Sequence, residues 1–294
     1  MRRSLAAVCA VLVLVCSSST PVAVAASVAA MPPATGRWTA GAQHVTPLAD
    51  TMRGAARLRQ ALTSALRKRS SRIEFAVAAT DHVTGATYAF HASEAFETAS
   101  VVKVDILAVL LLQAQDAGRD LTAAQGSLAD DMIRSSDNDA ASTLWWTIGG
   151  AAGLARANKR LGLTETSPGQ DGWWGLTTTT VADLIRLVDA IADPDGPLDD
   201  DSREFMLALM RGVDPDQDWG VSAGALPGEA IALKNGWMPR SNQDGRWTVN
   251  SVGWITGGGT DLTMAVMSRG HASSAAGIAF VEEIARLVRQ AVSP

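Results

Sequence analysis

Ser100 stands three positions ahead of Lys103 in the stretch ETASVVKVDIL, at the head of an apolar run. A serine hydroxyl is a weak nucleophile at neutral pH and needs a base within hydrogen-bond reach. Residues three apart on a helix share a face, so Lys103 could offer its amine to Ser100. Burial among positive neighbours would depress the pKa of that amine and let it accept the proton. The same pair also fits a helix-capping serine followed by a surface lysine. Two further stretches bear on the choice. SSDND places Ser136, Asp137 and Asn138 in a helical region, and LKNGW places Lys234, Asn235 and Gly236 on a strand of the C-terminal third.

Three such segments must be brought together by the elements between them. Leu58, Leu62 and Leu66 recur at helical spacing within 48–69, and RIEFAVAATDHVTGATYAFHA reads as two strands around a turn at Val83–Ala86. A buried helix is expected from Val101 to about Ala114, with Ser100 at its mouth. Further helices are expected near 121–134, 140–146, 153–161, 180–191 and 202–210. EAIALKNGW, RWTVNSVGWIT and DLTMAVMSR read as three strands, and Ala275–Val292 as a closing helix. This order predicts an α/β fold of the α+β type: a five-stranded antiparallel sheet flanked by helices, with an all-helical lobe inserted in the middle.

The chain of 294 residues is 47% apolar and 19% charged, with a formal charge of −5, which gives no reason to expect nucleic acid or an anionic membrane as partner. MRRSLAAVCAVLVLVC followed by AVAAS has the basic start, short apolar core and A-x-A site of a secretory signal peptide, residues 1–25. Residues 26–47 read as a flexible leader and 48–294 as the folded domain, so a secreted protein is expected. Cys16 raises the question of lipidation, but Val15 before it is bulkier than such sites usually tolerate. Cys9 and Cys16 both fall in the signal, leaving the mature chain no cysteine for disulfides, thiolate catalysis or metal binding. His44, His82, His91 and His271 show no ligand spacing. Neither metal nor cofactor is expected, and the protein is read as a monomer.

The succession S-x-x-K, S-D-N and K-x-G on a strand resembles the class A β-lactamase family and its penicillin-binding, transpeptidase-like relatives. SSDNDAASTLWWTIGGAAGLARANKRLG, TTTTVADLIRLVDAI and PGEAIALKNGW extend the likeness over roughly 58–292. The resemblance implies that Ser100 is acylated, with Lys103 as its base. It implies that Ser136, steered by Lys234, passes a proton to the departing nitrogen. Asn138 would orient Lys103 and the substrate amide, and the backbone N–H groups of Ser100 and Trp237 would hold the oxyanion. Gly236 would let substrate lie against the strand edge, with Asn235 and Lys234 facing the substrate's carboxylate.

Several positions depart from the family's pattern. The loop LTETSPGQDGWWGLTTTT is short and has no glutamate where the deacylating base belongs. Glu165 is expected to be a solvated loop acid, with Gln170 and Asp171 as candidates for the base. The segment between Ser100 and Ser136 is also short, predicting an open cleft. Asn235 stands in place of a hydroxyl residue, and Arg240, Arg246 and Arg269 remain open as carboxylate clamps. Trp145 and Trp146 are expected to pack the helical lobe. Trp173, Trp174 and Trp237 are divided between core and cleft wall. DPDGPLDDDSRE reads as a solvated turn and helix start, and Met264 and Met267 as core. The function expected is hydrolysis of β-lactam amides through an acyl-serine. Two alternatives stay open: a peptidase on cell-wall D-alanyl peptides, and a penicillin-binding protein that acylates but deacylates slowly.

Overall fold

The computed structural model describes residues 48–71 and 73–292. The expected signal peptide (1–25) and leader (26–47), with Cys9, Cys16 and His44, lie outside the described residues. Helix α1 (Leu48–Ser70) is followed by strands β1 (Glu74–Asp81), β2 (Ala86–Phe90) and the two-residue β3 (Phe96–Glu97). The helical lobe holds α2 (Val102–Asp116), α3 (Ala123–Arg134), α4 (Asn138–Thr147) and α5 (Gly150–Arg160). After the short strand β4 (Thr178–Thr179) come α6 (Val181–Ala192) and α7 (Asp200–Arg211). Strands β5 (Ala230–Arg240), β6 (Arg246–Gly257) and β7 (Thr260–His271) then lead into α8 (Ser274–Val292). The sheet is antiparallel throughout in the order β2-β1-β7-β6-β5, while β3 and β4 form a separate ribbon. The five-stranded sheet and inserted lobe expected from the element order are both present.

Side chains alternate across a strand, and β1 shows what this does. Phe75, Val77 and Ala79 join one core with Leu62 and Leu66 of α1 and with Val281, Ile284 and Val288 of α8. Ala76 and Ala78 point the other way, into a core with Val181, Leu184, Ile185 and Val188 of α6. The first turn is set by Asp81, whose Oδ1 accepts the Val83 and Thr84 N–H groups at 3.0 Å. Met264 and Met267 of β7 are fully buried, as expected.

Helix α2 is buried on every side except at Gln113, Gln115 and Asp116, and so forms the axis of the lobe. Each of its Leu, Ile and Val side chains gains about 1.5–3 kcal/mol from leaving water. The surrounding helices are fixed by local capping. A Thr122–Gln125 capping box opens α3, Thr180 accepts the Asp183 N–H at 3.1 Å to open α6, and Asp199 accepts that of Ser202 at 2.8 Å to open α7. The acidic run thus does begin a helix. One expectation fails: Trp145 is buried, but Trp146 is 63% exposed. Neighbouring helical positions differ by about 100° in direction, so only one of two adjacent tryptophans on this outer helix can face the core.

Candidate active site

Ser100 lies in the middle of a 3-10 turn, Ala99–Val101, that runs directly into α2. The α2 N-cap position belongs to Val101 and makes no side-chain cap, so Ser100 does not serve as a helix cap. Ala99 holds φ at 48°, a left-handed conformation that L side chains adopt at a cost. Such strain persists only under outside restraint. Asn250 Nδ2 donates to the carbonyls of Glu97 and Thr98 at 2.8 and 3.1 Å, and its Oδ1 accepts the Ser268 N–H at 3.1 Å. Thr98 N donates to Thr177 O at 2.8 Å, tying the turn to the loop before α6.

Gly236 supplies the remaining restraint, for a reason other than the one expected. A Cβ there would sit 2.7 Å from Ser100 N, Thr98 O and Val101 N. The glycine therefore admits the serine turn itself against β5.

The three separated segments converge behind this turn. Lys103 is fully buried, and its Nζ donates to Ser136 O at 2.7 Å, Ser136 Oγ at 3.1 Å and Asn138 Oδ1 at 2.9 Å. From β5, Lys234 Nζ donates to the same Ser136 Oγ at 2.9 Å and to Asn235 O at 3.0 Å. The SDN run divides its labour by position. Ser136 turns inward with φ at 59°, Asp137 caps α4 by accepting the Ala140 N–H at 2.7 Å, and Asn138 begins the helix. Burial lowers the Lys103 pKa to about 7, partly opposed by the charge of Asp137. Lys234 is pushed well below its ordinary value by burial and then by Lys103 beside it.

Ser100, Asn138, Trp174, Trp237 and Arg240 line an open cavity of about 580 Å³. Trp237 follows Gly236 on the edge strand β5 and lines the same cavity as Ser100. Asn235 is elsewhere. Its side chain is buried, with Nδ2 donating to Gln217 O at 2.7 Å and Trp219 O at 2.9 Å. Among the three candidate arginines only Arg240 lines the cavity, and it pairs with Glu97 at 2.6 Å. Arg246 donates to Gly270 O, while Arg269 pairs with Glu74 and Glu94.

Of the candidates for a deacylating base, Glu165 is exposed and accepts from Thr180 Oγ1 at 3.2 Å, at the start of α6. Gln170 and Asp171 are also exposed, and none of the three lines the cavity. Among the described residues no carboxylate lines it at all. The sequence had not singled out Ser142, whose Oγ accepts the Trp174 indole N–H at 3.1 Å, or the Glu97–Arg240 pair. The signal for Trp174 lay in GWWG: two bulky aromatics bracketed by glycines, in a loop too short to bury both.

A family model for the beta-lactamase enzyme family matches residues 124–292. "Putative lipoprotein LppW" of Mycobacterium tuberculosis is 33% identical over 168 residues, 55% of this chain and 53% of its own. The chain thus spans about half the length of the curated relatives it matches. A β-lactamase from Xanthomonas campestris pv. campestris has a similar fold, with a TM-score of 0.70 and 20% identity over 80% of this chain and 99% of that one. So does a PBP-A mutant in an acyl-enzyme complex with penicillin G, with a TM-score of 0.68 and 22% identity over 80% and 96% of the two chains.

Proposed function

The chain belongs to the beta-lactamase enzyme family, and from that premise we propose that it is a serine hydrolase opening β-lactam amide bonds through acyl-Ser100. Lys103, as the neutral amine, takes the Ser100 proton while Oγ attacks the lactam carbonyl. The N–H groups of Ser100 and Trp237 receive the oxyanion. As the ring C–N bond breaks, Ser136 Oγ gives its proton to the nitrogen and is resupplied from the lysines. Asn138 keeps Lys103 aligned. The observation that carries this reading is the placement of Ser136 Oγ at 3.1 and 2.9 Å from the two lysine nitrogens, joined through Lys103 to Asn138, which lines the cavity with Ser100. The PBP-A acyl-enzyme with penicillin G supports a β-lactam as the small-molecule partner. The relative named as a lipoprotein and the signal-like start of the sequence favour an extracytoplasmic protein.

A second reading, acylation followed by slow deacylation, is favoured by the cavity's lack of a lining carboxylate among the described residues. Intact-mass measurement after mixing with penicillin G separates the outcomes. The expected adduct has the mass of whole penicillin G and is absent in Ser100→Ala. Rapid loss of penicillin with little adduct supports the hydrolase, and a lasting adduct supports the second reading. Release of D-alanine from wall peptides, with no penicillin adduct, would move the substrate to D-alanyl peptides. No adduct, no penicillin loss and no D-alanine release would refute the proposal.

A further inference from the structure

Hydrolysis of an acyl-serine needs a water whose proton has somewhere to go. The water oxygen bonds to the acyl carbon and its proton passes to a base. The ester C–O bond then breaks, and Ser100 Oγ takes a proton back. No carboxylate among the described residues lines the cavity; Glu97 is paired with Arg240, which leaves Lys103, one helical turn beyond Ser100, as the base for this step. Its Nζ is already engaged by Ser136 O, Ser136 Oγ and Asn138 Oδ1. The Trp174 ring lies over the same nitrogen, 4.9 Å from it to the ring centroid.

We infer that the Trp174 indole shuts water away from Lys103 once Ser100 is acylated, so that the acyl-enzyme outlives its encounter with water and yields only to a nucleophile that needs no base. This step rests on the second reading above, acylation of Ser100 followed by slow deacylation.

The indole is held in place. Its N–H donates to Ser142 Oγ at 3.1 Å, and its backbone belongs to the 3-10 turn Trp174–Leu176. The loop behind it is drawn tight. A Cβ on Gly169 would fall 2.1 Å from Trp173 O, and Ser167 and Thr178 exchange backbone hydrogen bonds at 2.8 and 2.9 Å. Trp174 both packs against the lobe core and lines the Ser100 cavity. A purely structural tryptophan would alter the melting temperature. A shield alters the ratio of deacylation to acylation.

The test follows penicillin G adducts on the full chain by time-resolved intact mass. Trp174→Ala, checked for folding, is expected to lose its adduct about a hundredfold faster than wild type or more, the lower end of what a positioned general base contributes, with a smaller change in acylation. Trp174→Phe keeps a ring over Lys103 and is expected to hold its adduct as wild type does. On the wild-type acyl-enzyme, neutral hydroxylamine, which attacks without a base, is expected to strip the adduct through the open cleft. A folded Trp174→Ala that deacylates at the wild-type rate overturns the inference. So does a wild-type adduct that resists hydroxylamine, which decides the matter if Trp174→Ala fails to fold, and so does rapid turnover by wild type. Absence of any adduct together with no loss of penicillin instead refutes acylation of Ser100.

Discussion

Asp105→Asn should stabilise the protein, and by more as the pH rises. Asp105 sits on the all-buried helix α2 and is itself 3% exposed. Its Oδ2 accepts from Asn158 Nδ2 at 3.0 Å, while Asp105 Oδ1 and Asn158 Oδ1 are both buried without a partner. A proton on Asp105 supplies the donor that two facing acceptors lack. Burial raises its pKa from 3.8 to about 7, with the Asn158 hydrogen bond opposing and Asp183 adding to the rise. The sign follows from proton linkage. The folded state holds a proton that the unfolded chain has already released, so stability falls as pH climbs from about 4 to about 7 and levels off above. At 1.36 kcal/mol per unit over about three units, the carboxyl costs roughly 4 kcal/mol at neutral pH. Asparagine keeps the shape, never ionises, and can form a reciprocal amide pair with Asn158. Between pH 5 and pH 8 its advantage over wild type should grow by about 3 kcal/mol, or roughly 6–12 °C in Tm for a domain of this size. Paired thermal melts across that range measure the difference, and the contributions of other groups, including the buried His271, cancel in it. A difference that stays flat with pH would refute the reasoning.

Three further outcomes are expected. The acylation rate with penicillin G should rise about tenfold per pH unit up to about pH 7 and flatten above, because Lys103 acts as the unprotonated amine; stopped-flow acylation over a pH series reads this. Gly236→Ala should cost about 3 kcal/mol or displace the serine turn, since its methyl meets three backbone atoms at 2.7 Å, and urea melts with acylation rates would register either. Asn250→Ala removes three buried hydrogen bonds under Glu97, Thr98 and Ser268, and should lower stability by about 3 kcal/mol in urea melts while slowing acylation.

Much of the candidate site is legible from three short runs taken together with the family resemblance they carry. One helical turn separates Ser100 from Lys103, and the short SDN and KNG runs need only a helix start and a strand to present them. What escaped depends on neighbours far along the chain. Alternation along β5 could not say which element lies behind Asn235, so the backbone carbonyls of Gln217 and Trp219 that occupy its amide were invisible. Gly236 was read as room for substrate because the close approach of residues 98–101 is a tertiary fact. Trp146 was assigned to the core with its neighbour because composition does not say which side of a helix faces out. Asp105 did leave a trace, a lone acid inside VVKVDILAVLLL, but its partner Asn158 is 53 residues on.

β1 pairs with β7, Val77 lying opposite Val266, so β1 gains its second neighbour only when the last strand of the chain has been made. The lobe from α2 to α5 consists of contacts between segments closer in the chain, and such contacts form fastest. Contact order therefore favours the lobe forming ahead of the sheet. Lys234 arrives with the late strands, and until it does the pocket lacks one of the two amines that meet at Ser136. The Ser136 hydroxyl thus gains its second lysine partner in the step that closes the sheet.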